Sequence, residues 1–327
     1  MQAIVARRYG PPGEVLELDD VDTPVVGEDD VLVRTRATSV NPADWHLIRG
    51  EPRIARLQFG LRAPKVAVLG CDVAGEIEAV GRNVTTLRPG DEVFASSFMH
   101  GFGAFAEYVR VPADLVAAKP AGLPFDQAAA VPLAALTALQ GLRDHGQVEA
   151  GRRVLIVGAS GGVGTFAVQI ARSLGAEVSG VCSTRNVELV SSLGAEQVID
   201  YTREDVTGGG TRYDVVLQVA GTTSPAAWRR VLTPEGRLVQ ISGDSPGRWI
   251  GAMGRMVSGR ALSSFVSQTV STVNVASDRE DLEQLAKLVE TGAITPVIDR
   301  THPLAEVPEA LTYLEAGHAR GKVVITL

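Results

Sequence analysis

A chain of 327 residues is long enough for two domains, each with its own buried core. Its 31 basic against 38 acidic side chains leave a net charge of −7, which argues against nucleic acid or an anionic membrane as a partner. Apolar residues at 45% and charged residues at 21% are those of an ordinary soluble globular protein, and two cysteines far apart, Cys71 and Cys182, exclude a disulfide framework and fit a reducing cytoplasm.

The opening MQAIVARRYG has no apolar stretch of signal-peptide length. From Met1 to about Leu123 the signals are of β type. Short apolar runs at Ala3 to Ala6, Val15 to Leu18, Val31 to Val33, Val73 to Val80, Val93 to Ala95, Phe105 to Val111 and Val116 to Ala118 alternate with turns rich in Gly, Pro and Asp. Many short strands at close spacing predict a compact barrel-like domain. Pro120 and Pro124 mark a boundary. An Ala- and Leu-rich segment from Phe125 to about His145 then reads as helix. Asp126 and Pro132 interrupt it, so it is not expected to cross a membrane.

Val154 to Val157 is a short apolar run of the kind buried in a parallel sheet. A glycine cluster follows, then Val163, Ala167, Ile170 and Leu174 at helical spacing, Gly175 as a helix stop, and a second apolar strand from Val178 to Cys182. Strand, glycine turn, helix and strand in about 30 residues form a dinucleotide-binding unit. The fingerprint runs Ala159, Ser160, Gly161, Gly162, Val163, Gly164, with alanine where the first glycine usually sits. Small residues let backbone N–H groups approach a pyrophosphate, and the helix points its positive end at that charge. An NAD site normally ends its second strand with Asp or Glu for the ribose hydroxyls. Here the strand ends Cys182, Ser183, Thr184, Arg185. A carboxylate would repel a 2′-phosphate, whereas Arg185 and the Ser183 hydroxyl can bind one. The expected cofactor is therefore NADPH.

The alternation continues. Helix is expected at Asn186 to Leu193, strand at Gln197 to Ile199 and Tyr213 to Val219, helix at Pro225 to Leu232, and strand at Leu238 to Ser242. Ala220, Gly221, Ser242 and Gly243 fall at the carboxyl ends of these strands, where open α/β sheets bind ligands. Gly243 to Gly259 reads as a mobile loop and Ser263 to Val275 as a β segment at a sheet edge. Arg279 to Thr291 and Val307 to Glu315 read as helices, and Val323 to Leu327 as a final strand that would overfill the parallel sheet and so returns to the first domain. The expected domains are thus 1–124 with 277–327, and 125–276.

This arrangement resembles the medium-chain dehydrogenase/reductase superfamily across essentially the whole chain. The resemblance is carried by AIVARRYGPPGEVLEL at the start, VNPADWHLIRG at Val40 to Gly50, GCDVAGEIEAVG at Gly70 to Gly81, LRPGDEVFA, GAFAEYV, the fingerprint and the closing GKVVITL. Within the superfamily the chain is similar to the zinc-free quinone oxidoreductase, or zeta-crystallin-like, branch. That resemblance implies an α/β protein with a GroES-like β-rich catalytic domain, a Rossmann doubly wound parallel sheet, the cofactor in a cleft between them, and homodimers formed by edge-to-edge pairing of Rossmann sheets.

Zinc divides the superfamily. Zinc-dependent relatives place ligands where this chain has Asn41 and Cys71, with another near Ala134. Asn41 is no zinc ligand, and no cysteine or histidine lies between Pro132 and Gln140. No cysteine stands between Arg82 and Arg110, where those relatives carry a structural zinc lobe. The expectation is no metal. The resemblance also implies that Asn41 reaches the nicotinamide ribose region, that Thr137 contacts the cofactor, and that Tyr201, in VIDY, lies against the 2′-phosphate. Gln218 departs from the pattern, since many relatives have Asp there. Acid–base groups are sparse, and no catalytic residue is assigned; Asn41, Asp44 and His46 are the candidates. The expected function is hydride transfer from NADPH to a quinone or to the C=C bond of an enone, on a small apolar substrate. A zinc-free alcohol or carbonyl dehydrogenase and a non-enzymatic NADPH-binding protein are the alternatives.

Overall fold

The computed structural model describes residues 1–241 and 267–327. Ser242, Gly243 and the stretch to Gly259 lie outside the described residues. The chain divides into two compact units, Met1–Leu136 with Ala276–Gly292 and Pro296–Leu327, and Thr137–Val275 with Ala293–Thr295.

The first unit opens with β1 (Gln2–Ala6), α1 (Pro12–Val15) and β2 (Leu16–Asp20). Then come β3 (Asp30–Val40), α2 (Pro42–Arg49), α3 (Arg56–Phe59), β4 (Asp72–Val80), β5 (Glu92–Ser96), β6 (Tyr108–Pro112), β7 (Val116–Ala118), α4 (Phe125–Ala129) and α5 (Pro132–Gln140). Pro12 at the first helical position turns the expected run at Val15 into the end of a helical turn, so β2 begins at Leu16. The long β3 is the unit's backbone: it pairs antiparallel with β4 and with β6. Val31, Val33, Val73, Ile77, Val93, Val109 and Val111 are buried together, alternate residues of these strands facing one core. The helix expected from Phe125 to His145 is broken. Proline at 132 starts a new helix, and a π-helical turn, Gly141–His145, replaces its end.

The second unit alternates strand and helix: β8 (Arg153–Val157), α6 (Gly162–Ser173), β9 (Glu177–Cys182), α7 (Val187–Ser192), β10 (Gln197–Asp200), β11 (Tyr213–Gln218), α8 (Pro225–Trp228), β12 (Leu232–Gln240) and β13 (Thr269–Thr272). The sheet order is β10-β9-β8-β11-β12-β13, every pair parallel. Its strands are apolar runs because both faces are covered; Leu155, Val181, Val216, Trp228 and Leu238 are buried in one cluster. Helix α8 stops at Trp228, and β12 starts at Leu232 rather than at the expected Leu238.

The tail supplies α9 (Arg279–Glu290), β14 (Ile298–Pro303), α10 (Val307–Glu315) and β15 (Lys322–Thr326). Strand β15 lies between β14, to which it is parallel, and β3, to which it is antiparallel. Among the described residues no helix is long and apolar enough to cross a membrane.

Gly164, in the first turn of α6, packs against the backbone of the turn that precedes the helix. A Cβ there would lie 2.1 Å from the Gly158 carbonyl oxygen and 2.8 Å from Ala159 backbone atoms. Backbone cannot swing aside as a flexible side chain would. Gly164→Ala is therefore expected to destabilise the protein by about 1–3 kcal/mol, read as a lower midpoint in denaturant unfolding; an unchanged midpoint would show that the turn can relax.

Candidate functional site

The glycine turn runs from the end of β8 into α6. Gly158 takes a φ of +85°, the conformation the tight turn demands. Ala159 comes one residue later, fully buried, its N–H donating to the Val181 carbonyl at 3.0 Å. The turn is made before the alanine, which is why alanine is tolerated in the fingerprint. Gly161 is the N-cap of α6 and no side chain caps it. The N–H groups of Gly162, Val163 and Gly164 open the helix, where the backbone has no intrahelical acceptor to offer them. An uncapped twelve-residue helix with its positive end at the carboxyl edge of a parallel sheet suits a pyrophosphate. Gly164 itself is buried and serves packing.

Just past the end of β9 stand the residues expected to meet a 2′-phosphate. Ser183 is half-buried and Arg185 exposed, in the turn Thr184–Asn186. Tyr201 is seated beside them because its N–H donates to the Cys182 carbonyl at 3.1 Å, and the residue is 59% exposed. The chain carries no acid at the end of β9, but the neighbouring strand brings one: Asp200 is paired with Cys182 in register. Its carboxylate is already engaged. It accepts from the Thr184 hydroxyl, from the Thr202 N–H at 3.0 Å and from the Thr202 hydroxyl at 2.7 Å, and it lies 3.3 Å from the Arg203 guanidinium. The Thr184 hydrogen bond above all holds its pKa below the usual carboxylate range.

Asn186 was not singled out by the sequence, yet it is 4% exposed and joins the two halves of this edge. Its amide donates to Ser160 Oγ at 2.9 Å and to Ser183 Oγ at 3.3 Å, while its own Oδ1 is buried with no hydrogen-bond partner. The only available clue was the spacing Ser183-x-x-Asn186, an ordinary turn pattern. Gln218, at the end of β11, explains its departure from the family pattern. Its amide donates to the carbonyls of Gly221 and Thr223 at 3.2 and 3.1 Å and accepts from Gln240 at 3.0 Å, work for which an acid lacks the donor. Ala220 and Gly221 follow directly, Gly221 exposed. Thr137 is buried in α5.

In the first unit, Asn41, Asp44 and His46 sit at the junction of β3 and α2. Asn41 is the N-cap of α2, and the Asp44 carboxylate reaches back to its N–H at 2.7 Å. Asn41 Nδ2 donates to Asp72 Oδ2 at 2.9 Å, and Lys322 Nζ donates to Asn41 Oδ1 at 2.6 Å. Asp72 is fully buried. It also accepts from Ser39 Oγ at 2.6 Å and from the Leu133 N–H at 2.8 Å, and lies 3.4 Å from Lys322 Nζ. Cys71 beside it is a buried free thiol, held well above the ordinary thiol range by desolvation and by the charges of Asp44 and Asp72. His46 stacks on Trp45 at 3.6 Å between ring centroids. Phe98 meets Phe102 edge-on at 6.1 Å.

Burial pushes the Asp44 pKa up to about 7. A carboxyl whose folded pKa exceeds its unfolded one is protonated by folding in the interval between them, so stability from this group falls as pH rises from about 4 to 7. Asp44→Asn keeps an acceptor for the Asn41 N–H and removes the ionisation. The difference in unfolding free energy between Asp44→Asn and wild type should move in favour of the variant as pH rises through this interval, by at most about 1.4 kcal/mol per pH unit. A difference independent of pH would refute it.

Comparison with known proteins follows the same division. The family described as alcohol dehydrogenase GroES-like domain matches residues 27–121, and the family described as zinc-binding dehydrogenase matches residues 193–325. A chloroplast envelope quinone oxidoreductase homolog from Arabidopsis thaliana is 31% identical over 99% of this chain and 98% of its own length. An NADPH-dependent alkenal/one oxidoreductase, chloroplastic, from the same plant is 34% identical over 99% of this chain and 79% of its own. The crystal structure of the Escherichia coli quinone oxidoreductase complexed with NADPH superimposes with a TM-score of 0.84 at 26% identity, covering 100% of both chains. Fold, strand order, glycine turn and full-length similarity converge: the chain belongs to the medium-chain dehydrogenase/reductase superfamily, as a member of its quinone oxidoreductase-like group.

Proposed function

We propose that the protein is an NADPH-dependent oxidoreductase that transfers a hydride to a quinone or to the C=C bond of an α,β-unsaturated carbonyl, without a catalytic metal. The observation that carries the reading is the edge where β8 and β9 end: an uncapped helix N-terminus that suits a pyrophosphate, Ser183 and Arg185 just past β9 with Tyr201 tied by its N–H to the Cys182 carbonyl, and a carboxylate, Asp200, already bound to threonine hydroxyls and Arg203. The likeness to a quinone oxidoreductase homolog and to an NADPH-dependent alkenal/one oxidoreductase supports the substrate class. When bound, the nicotinamide supplies the hydride; the protein contributes binding, orientation and hydrogen-bond donors. Asn41 and Thr137 carry over from the family pattern as cofactor contacts.

One matching family is described as zinc-binding, and the donor set of this chain does not suit zinc. At the position of one ligand stands the Asn41 amide, bonded to a lysine ammonium and a carboxylate. At the second stands a thiol whose ionisation burial opposes, although zinc binds thiolate. Near the third stands Ala134, which offers no donor. An ammonium already faces Asn41 and Asp72, so a divalent cation there would meet like charge. Adding excess zinc or a chelator should leave turnover unchanged.

Titration calorimetry of NADPH and NADH with wild type and Arg185→Ala tests the cofactor assignment. NADPH should bind the wild type more tightly, and the substitution should weaken NADPH about tenfold or more while leaving NADH nearly unchanged. Equal wild-type affinities, or a preference for NADH, would overturn it. NADPH oxidation should then be driven by quinones and enones rather than by simple ketones. We also propose a homodimer in a reducing compartment such as the cytoplasm. Among the described residues β13 pairs only with β12, leaving its other edge to offer. Sedimentation equilibrium should give twice the 34.4 kDa of one chain.

A further inference from the structure

We infer that Asn186 is a positioning residue of the dinucleotide site, which sets the direction of two serine hydroxyls so that both donate to phosphate. The inference rests on the NADPH reading and deepens it.

A serine hydroxyl has a single proton and can rotate it toward any acceptor nearby. Ser160 Oγ and Ser183 Oγ each accept an N–H from the same Asn186 amide, at 2.9 and 3.3 Å. An oxygen that accepts on that side cannot donate there, so each hydroxyl proton must point elsewhere. Neither Oγ donates to an acceptor among the described residues. Ser160 belongs to the glycine turn that leads into the uncapped start of α6, and Ser183 follows the end of β9. Among the described residues both protons are thus left without an acceptor, and a phosphate oxygen would supply one. One amide ties the pyrophosphate end of the site to the 2′-phosphate end.

The amide is held for the task. Asn186 is 96% buried, and its N–H donates to the Ser183 carbonyl at 2.9 Å, which fixes the turn. Asn186 Oδ1 is buried without a partner, which costs free energy in a closed site. An amide is required. A carboxylate of the same shape would accept from both serines and turn their protons inward, and an apolar side chain would leave them free to rotate.

The test uses the whole protein and titrates NADPH and NADH. Asn186→Leu should weaken NADPH about tenfold and NADH less, because Ser160 serves both cofactors and Ser183 only the 2′-phosphate. In a Ser183→Ala background the same substitution should leave the NADPH-to-NADH ratio where Ser183→Ala alone put it, which a merely structural role of Asn186 would not produce. Full additivity of the two changes, or wild-type affinities in Asn186→Leu, would overturn the inference. Should Asn186→Leu fail to fold, Ser160→Ala and Ser183→Ala decide. The first should weaken both cofactors alike and the second NADPH alone, and the absence of that difference overturns the inference. A wild type that does not prefer NADPH would remove the cofactor reading itself, a result visible before any variant is made.

Discussion

A carboxylate sealed from water has to be satisfied by the protein, and the first unit is assembled around one. Asp72 starts β4 and gathers a hydroxyl from β3, an amide from the N-cap of α2, a backbone N–H from α5 and an ammonium from β15. These segments are far apart in sequence. Removing any one of them leaves a buried charge short of a partner, which is more costly than never having had the charge. The requirement links strand pairing to local geometry: β15 must lie against β3 for Lys322 to arrive, and α5 must start at Pro132 for the Leu133 N–H to be unclaimed by its own helix.

The second unit follows the opposite logic. Its sheet core is apolar, and among the described residues its carboxyl edge leaves donors unspent, among them the first amides of α6 and two serine hydroxyls. Polar groups fully paired within the protein build structure; those left over mark where something else binds. The contrast also separates residues of similar appearance. Asp200 and Gln218 lie at strand ends close to the site, yet their hydrogen bonds are internal and hold loops in place.

How much of this was legible in the sequence depended on whether the information was local. Strand, turn and helix from Val154 to Ser173 could be read directly, because apolar runs and glycines act within a few residues. Grouping Tyr201 with Ser183 came from family likeness, and its physical cause is the register that sets Asp200 beside Cys182. That register is a long-range fact. The same limit hid Asn186, whose partners at 160 and 183 meet only when β8 and β9 pair. It hid Lys322 too, which stands just before the expected final strand and is 3% exposed. The helix expected to run to Leu232 ends at Trp228, where propensity yields to backbone hydrogen bonding that only the folded sheet imposes.

The place of β15 has a consequence for how the chain comes to be folded. Its neighbours are β14, a short way back, and β3, almost the whole chain away. On the ribosome, residues 137–275 are complete while residues 322–326 are still unmade. The dinucleotide unit can therefore close its sheet first. The earlier-made strands of the other unit must wait for Lys322, with a carboxylate uncompensated and the edge of β3 open. Of the two units the one begun earlier is the one finished later, and its open strand edge is where misassembly during synthesis would start.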